Sequence, residues 1–309
     1  MDAHSFLNFD FTPVGLDHHA ALEEFLRRYP QPLSGYTMAT LSAWQASYRY
    51  GWAFASPETL LISWDQSPGS PRHLLQPVGP VPADVRDAIL AGAAALPYPL
   101  EIVNASSRFL KENPELLEHC TAREERSMSN YLYRADALAR LPGRKYSKKR
   151  NLLSQATKLY AWESEPLTAE GTGACREVLE AIEKEESPVM EGMLEREIAA
   201  LGYTLDHFRE LGQQGLLIRV EGSPVAFSIY EAIGPKAVAV HFERALRRYK
   251  GLYQVINRET AQAVAAQGYE CINREEDMGD PGLRDAKRSY HPIRVVPAFI
   301  LTYRGRISA

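Results

Sequence analysis

The chain has 309 residues, 45% hydrophobic and 24% charged, the make-up of an ordinary globular protein, which excludes a disordered or collagen-like chain. Its length suits two domains of roughly 100–200 residues each. The 35 Lys and Arg against 39 Asp and Glu leave a net charge of −4, so any surface for a polyanion has to be local, and the three widely spaced cysteines, Cys120, Cys175 and Cys271, fit a reducing compartment better than a disulfide framework.

The opening MDAHSFLNFDFTP has no apolar signal core, and the longest uncharged run, Ala88 to Leu100, is far short of the roughly 20 apolar residues that a spanning helix needs. A soluble, cytoplasmic protein is expected. The spacing predicts a helix over Asp17 to Arg28, with Leu22, Phe25 and Leu26 on one face and Asp17 as its cap. Runs of β type follow at Tyr48–Ala55, Thr59–Ser63 and His73–Gln76, then a helix opening at Pro82, an apolar run at Leu100–Val103 and a β stretch at Tyr131–Tyr133.

A Pro142-Gly143 turn leads into a basic stretch and the helix LLSQATKLY, and reads as the joint between two halves. The second half repeats the outline of the first. It has acidic helices between Glu170 and Leu211, strands at Gly215–Val220, Val225–Ile233 and Ala237–Phe242, a helix over Leu252–Gln267 and a strand at Tyr269–Asn273. A short helix and the apolar run Ile293–Tyr303 end the chain. No residue-level repeat links the halves, only their order of elements, so the expected fold is α/β with mixed sheets in two domains, 1–142 and 143–309.

Absent motifs narrow the chemistry. There is no GxxxxGK[ST], HExxH or GxSxG, and Gly171-Thr-Gly173 lacks the third glycine of a dinucleotide fingerprint. No CxxC pair exists for zinc, and His18 and His19, being adjacent, point apart on a helix, so no metal site is expected.

Three constellations remain. Arg144, Lys145, Lys148, Lys149 and Arg150 gather positive charge within a turn or so, which suits phosphates, although a solvated linker helix has the same look. Between a strand and a helix, Glu243-Arg244-Ala-Leu-Arg247-Arg248-Tyr-Lys250-Gly251 forms a basic turn that could offer backbone N–H groups to an anion. The third runs from Asn273 to Pro292. After Glu275, Glu276 and Asp277, a helix starting at Asp280-Pro281 places Arg284, Lys287, Arg288 and His291 on one stripe, with Leu283, Ala286 and Tyr290 opposite as the expected core face. A surface helix with internal ion pairs is the plainer reading of that stripe.

The stretches NYLYRADALARLPGRKYSKKRN, HFERALRRYKGLYQVINRETA and INREEDMGDPGLRDAKRSYHP resemble the signature blocks of the phosphatidylglycerol lysyltransferase C-terminal domain family. The resemblance implies a tandem of two GNAT-like domains, related to the Fem-type peptidyltransferases, the second carrying the active site. It also implies movement of an amino acid from aminoacyl-tRNA to a lipid, sterol or peptide amine or hydroxyl. Lys287 and Arg284 fall where the lysyltransferases have a basic helix facing the tRNA end. Asn130 replaces the aspartate common before the YLY, and the membrane-embedded half of the lysyltransferases has no counterpart here, which leaves a peripheral contact with membrane lipid as one acceptor route among several. Arg248 and Gly251 resemble half of the loop [QR]-x-x-G-x-[GA] with which GNAT acyltransferases hold the pyrophosphate of coenzyme A, while Tyr253 stands where that loop has a small residue.

Acyl transfer from an activated ester requires no nucleotide hydrolysis, metal or protein nucleophile, in keeping with the motifs present and absent. In that scheme Arg144, Lys145, Lys148, Lys149 and Arg150 serve the acceptor stem, and Arg284 and Lys287 serve the terminal phosphates or the oxyanion. Glu243, Glu275 or Asp277 is the base, and Arg248, Gly251, Asn273, Tyr290 and His291 complete the binding set. Aminoacyl-tRNA is then the co-substrate, with no cofactor. Two other readings stay open: an N-acyltransferase using coenzyme A on the same fold, and a non-catalytic RNA-binding or regulatory module.

Overall fold

The computed structural model describes residues 5–185 and 192–305. Residues 1–4, at the head of the segment read for a signal, and residues 186–191, inside the expected acidic helical span, lie outside the described residues. Two compact units emerge. The first holds the described residues up to Asn130, Glu276–Gly279 and those from Val296 onward, and the second holds Tyr131–Glu275 and Asp280–Val295.

In the first unit the sheet order is Thr12–Pro13, Gly51–Ser56, Thr59–Trp64, His73–Leu75, Glu101–Ser106, Ala298–Tyr303, Cys120–Glu124. His73–Leu75 and Glu101–Ser106 run parallel, joined by the crossover helix Ala83–Ala95. Successive apolar residues serve both faces, because side chains alternate along a strand. Leu61, Leu74 and Ile102 pack with Val85 and Ile89, while Leu60, Ile62, Leu75 and Val103 pack with Leu22, Phe25 and Leu41. Helix His19–Arg28 buries Leu22, Phe25 and Leu26 as its spacing requires, but Asp17 does not cap it. Leu16–His18 is a separate 3-10 turn, and the helix follows His18 without a side-chain cap. Tyr48 ends the short helix Gln45–Tyr48, so the strand expected from it begins at Gly51, after Arg49 reverses the chain at φ 44°.

The second sheet runs Trp162–Pro166, Gln214–Val220, Ser223–Gly234, Ala237–Ala245, Cys271–Asn273, Asn130–Arg134, Arg294–Val296. Its parallel pair is Ala237–Ala245 with Cys271–Asn273, and the crossover between them is the helix Leu252–Ala266. Among the described residues no helix is long and apolar enough to cross a membrane.

The structure draws the division elsewhere than at the Pro142-Gly143 turn. The strand Asn130–Arg134 precedes that turn yet pairs with Cys271–Asn273, and the helix Ala135–Arg140 packs on Leu252–Ala266. The turn itself is a helix-to-helix connection inside the second unit. Arg150 clamps it by donating from Nη1 to the carbonyls of Leu141 and Gly143, at 2.6 Å each. The final apolar run is also divided. Arg294–Val296 stays in the second sheet, while Ala298–Tyr303 returns to the first and inserts between Glu101–Ser106 and Cys120–Glu124. Strand exchange of this kind leaves no local mark, because each strand's alternation satisfies either sheet equally.

Gly251 sets the approach of two helices. Its φ is 84°, and a Cβ there would sit 2.5 Å from the Leu152 carbonyl oxygen in the helix Ser147–Leu159. Gly251→Ala should therefore combine left-handed strain with overpacking and cost roughly 2–4 kcal/mol, read as a lower urea midpoint. Gly202→Ala, where the added methyl meets nothing within 4 Å in the helix Gly192–Asp206, should raise stability by up to about 1 kcal/mol.

Candidate functional site

The parallel ladder between Ala237–Ala245 and Cys271–Asn273 stops at the pair Ala239–Asn273. Beyond that point charged side chains take over from backbone hydrogen bonds. His241 Nδ1 lies 2.8 Å from Glu275 Oε1, and its Nε2 lies 2.7 Å from Glu231 Oε1 on the neighbouring strand. Arg274 Nη2 donates to Glu243 Oε1 at 2.6 Å. Burial alone would lower the His241 pKa, but the charge of Glu275 and the hydrogen bonds to both carboxylates outweigh it and push the pKa up to about 10. An imidazolium thus bridges two carboxylates in the sheet.

The turn 273–275 is fixed from every side. Asn273 is fully buried, and its Oδ1 accepts the Glu275 N–H at 2.8 Å, holding Glu275 at φ 56°. The Arg274 carbonyl accepts from Lys287 Nζ at 2.6 Å. Lys287 lies on the helix Pro281–Arg288, where the Asp280 carboxylate caps the start by accepting the Leu283 N–H at 2.6 Å. The Tyr133 hydroxyl donates to the Lys287 carbonyl at 2.7 Å, and the Tyr146 hydroxyl donates to the Tyr290 carbonyl at 3.0 Å.

These ties turn the helix the other way from the expected one. Leu283 is 39% exposed and Ala286 is exposed, while Arg284 and Lys287 are half-buried; of the expected core face only Tyr290 is inside. The ammonium of Lys287 also lies 5.8 Å from the Tyr131 ring centroid. Tyr290 is a platform for two more cations, with Lys149 Nζ 4.0 Å and Arg274 Cζ 5.6 Å from its ring centroid. Burial, then the nearby Arg274 charge, lowers the Lys149 pKa.

The basic stretch 144–150 and the stripe 284–291 meet within this unit. His291 Nε2 lies 3.2 Å from the Lys145 carbonyl oxygen and its ring packs edge-on against Tyr146. Arg144, Lys145 and Lys148 are exposed beside this cluster. Other residues singled out from the sequence are engaged in structural ties. Arg150 clamps the 141–143 turn, and Arg248 pairs with Glu185. In the basic loop, Arg247 N–H donates to Glu185, Lys250 N–H to the Tyr160 hydroxyl and Leu252 N–H to the Tyr249 carbonyl, while Gln254 and Val255 donate to the Gly251 carbonyl. Gly251 itself faces Leu152. Asp277 belongs to the first unit, where it is fully buried, lies 3.5 Å from Arg126 Nη1 and accepts the Gly279 N–H at 3.0 Å.

Asn130, also in the first unit, accepts from the Ser34 N–H and hydroxyl at 2.8 and 2.9 Å, and turns its amide nitrogen to Glu276 at 3.3 Å. An aspartate there would face Glu276 with like charge, which accounts for the amide. A cleft of about 620 Å³ in the same unit is edged by Gln31, Gln76 and Arg108, whose polar groups bond one another and the Pro30 carbonyl. The His241 bridge with Glu231 has no motif in the sequence to mark it; the available signal is that His241 and Glu243 sit two apart on one strand and so share a face.

The family model for the C-terminal region of phosphatidylglycerol lysyltransferase matches residues 26–302. No curated protein matches the chain. Among solved structures, a conserved protein of unknown function from Bacteroides thetaiotaomicron is 26% identical, with a TM-score of 0.86 over 96% of this chain and 100% of that one. The structure of L-PGS from Bacillus licheniformis is 14% identical, with a TM-score of 0.64 over 94% of this chain and 92% of that one. FemX is 9% identical, with a TM-score of 0.59 over 95% and 97%. Two mixed sheets, each containing a parallel pair, and these likenesses make the fold a tandem of GNAT-like α/β domains.

His241→Gln removes the positive member of the bridge and leaves two carboxylates facing an uncharged amide, so it should cost roughly 3–5 kcal/mol. Because the folded pKa of His241 is raised to about 10, the stability it supplies is complete below about pH 6.5 and is lost as pH rises through about 10. Chemical denaturation between pH 6 and 10 should show stability declining with pH in the unmodified protein and a flatter profile in the variant.

Proposed function

The chain belongs to the phosphatidylglycerol lysyltransferase C-terminal family, a family of aminoacyltransferases, and from that premise we propose that it moves an amino acid from aminoacyl-tRNA to an amine or hydroxyl acceptor. The acceptor class comprises lipid, peptide and small-molecule nucleophiles. The observation that carries the reading is the pair of inward-facing cations, Lys287 on the Arg274 carbonyl and the Arg274 guanidinium over Tyr290, bordered by the exposed Arg144, Lys145 and Lys148. Exposed cations of this kind neutralise phosphates along a tRNA end, and an ammonium anchored on a carbonyl can meet a developing oxyanion without reorganisation.

The basic loop 247–255 supports tRNA over coenzyme A as the donor. A pyrophosphate would draw on N–H groups there, and those at 247, 250, 252, 254 and 255 are already bonded within the protein, which leaves fewer of them for an anion. Transfer then needs the ester carbonyl held beside Lys287, the acceptor held within about 3–3.5 Å of its carbon, and a group to take the acceptor's proton.

The test is to incubate the protein with a mixed pool of charged tRNAs and follow deacylation with and without lipid and small-molecule acceptors. Acceptor-stimulated loss of the ester is expected, and coenzyme A should not protect the loop. Lys287→Ala should lower kcat/KM by roughly 2–4 kcal/mol of transition-state stabilisation with the fold retained, and Lys287→Arg should restore binding better than turnover. Lys145→Ala and Lys148→Ala should each reduce the salt dependence of tRNA binding by about one unit of log–log slope. Absent or salt-independent tRNA affinity would remove the physical basis of the reading.

A further inference from the structure

The carboxylates beside the cluster are poorly placed to accept a proton. Glu243 is held by Arg274, and Glu231 and Glu275 are held by the His241 imidazolium. Each already has an oxygen engaged by a cationic partner.

Lys149 is in a different position. It is half-buried on the helix Ser147–Leu159, its amine stands 4.0 Å above the Tyr290 ring centroid, and among the described residues no carboxylate lies within ion-pair distance of it. The charged group that faces it is Arg274, whose own partner is Glu243, and the titratable one is Tyr290. On its own helix, Lys148 is exposed and Arg150 is turned to the 141–143 carbonyls. Burial and the Arg274 charge both favour the neutral amine, while the ring face gives the ammonium a place to form.

We propose that Lys149, as the neutral amine, takes the proton from the acceptor during transfer and returns it to the leaving ribose oxygen. The proposal rests on the aminoacyl-transfer reading. As the acceptor nitrogen or oxygen bonds to the ester carbon, its proton passes to Lys149 Nζ and the carbonyl electron pair moves onto oxygen beside Lys287. Collapse re-forms the carbonyl and breaks the bond from carbon to the ribose oxygen, which takes the proton from the Lys149 ammonium. The products are uncharged tRNA, the aminoacylated acceptor and the amine in its starting state.

Two readouts test this. Trace labelling of the intact protein with acetic anhydride across pH 6–11, read by peptide mass spectrometry, should give Lys149 a lower midpoint than the exposed lysines, Lys148 serving as the internal comparison. Lys149→Arg places a permanent charge over Tyr290 and cannot lose a proton near neutrality. With the charged-tRNA pool it should bind with an unchanged KM and lose kcat by at least about 100-fold, together with the alkaline-rising limb of the pH profile. Coincident labelling midpoints for Lys149 and Lys148, wild-type kcat in Lys149→Arg, or a loss confined to KM would each overturn the assignment, the last making Lys149 a phosphate anchor. If the unmodified protein consumes no charged tRNA, the transfer reading fails and this role falls with it, whereas an active protein with an equally active Lys149→Arg removes the role alone.

Discussion

Two parallel strands that part company leave a problem that backbone hydrogen bonding cannot solve, and in the second unit it is solved by charge. Past Ala239–Asn273 the link between the strands consists of His241 with Glu275 and Glu243 with Arg274. Buried ion pairs of this sort add little net stability but are expensive to break from one side, so they define a conformation more than they deepen it. Their effect is to present the Arg274 carbonyl to Lys287 and the Arg274 guanidinium to Tyr290. The placement of the ammonium groups thus depends on an imidazolium and a guanidinium that need never meet a substrate.

The helix Pro281–Arg288 shows the same priority of specific ties over hydrophobic sorting. Its apolar residues face out because two tyrosine hydroxyls bind the Lys287 and Tyr290 carbonyls and an ammonium binds the Arg274 carbonyl. Three satisfied polar groups, one buried and two partly buried, outweigh the modest gain from covering one leucine and one alanine, about 25 cal/mol per Å² of apolar area. The outcome turns the Lys287 ammonium onto the Arg274 carbonyl, and Lys149 has an aromatic surface against it.

Much of the fold was legible in the sequence because it rests on periodicity. The central strands, the helices His19–Arg28 and Leu252–Ala266 and the start of the last helix at Asp280-Pro281 lie where alternation, helical spacing and capping chemistry put them. The exchange of the final strand was not legible, since it is a choice between two compatible sheets. In the site, charge runs were visible but their division of labour was not. Arg150, Arg248 and Asn273 hold turns and loops, Asp277 lies in the other unit, and Lys149 differs from Lys148 only through the residues brought against it. A side chain's chemistry can be read in order along the chain, but its partner is a product of the fold.

The proposed transfer requires the ester carbonyl to be received by the ammonium that the 273–275 turn positions. The measurement closest to it is a crystal structure with a 3′-aminoacylamino-3′-deoxyadenosine, whose stable amide carbonyl stands in for that of the ester. The amide oxygen is expected within about 3 Å of Lys287 Nζ. An analogue bound with its carbonyl away from Lys287, the ammonium still resting on the Arg274 carbonyl alone, would contradict it.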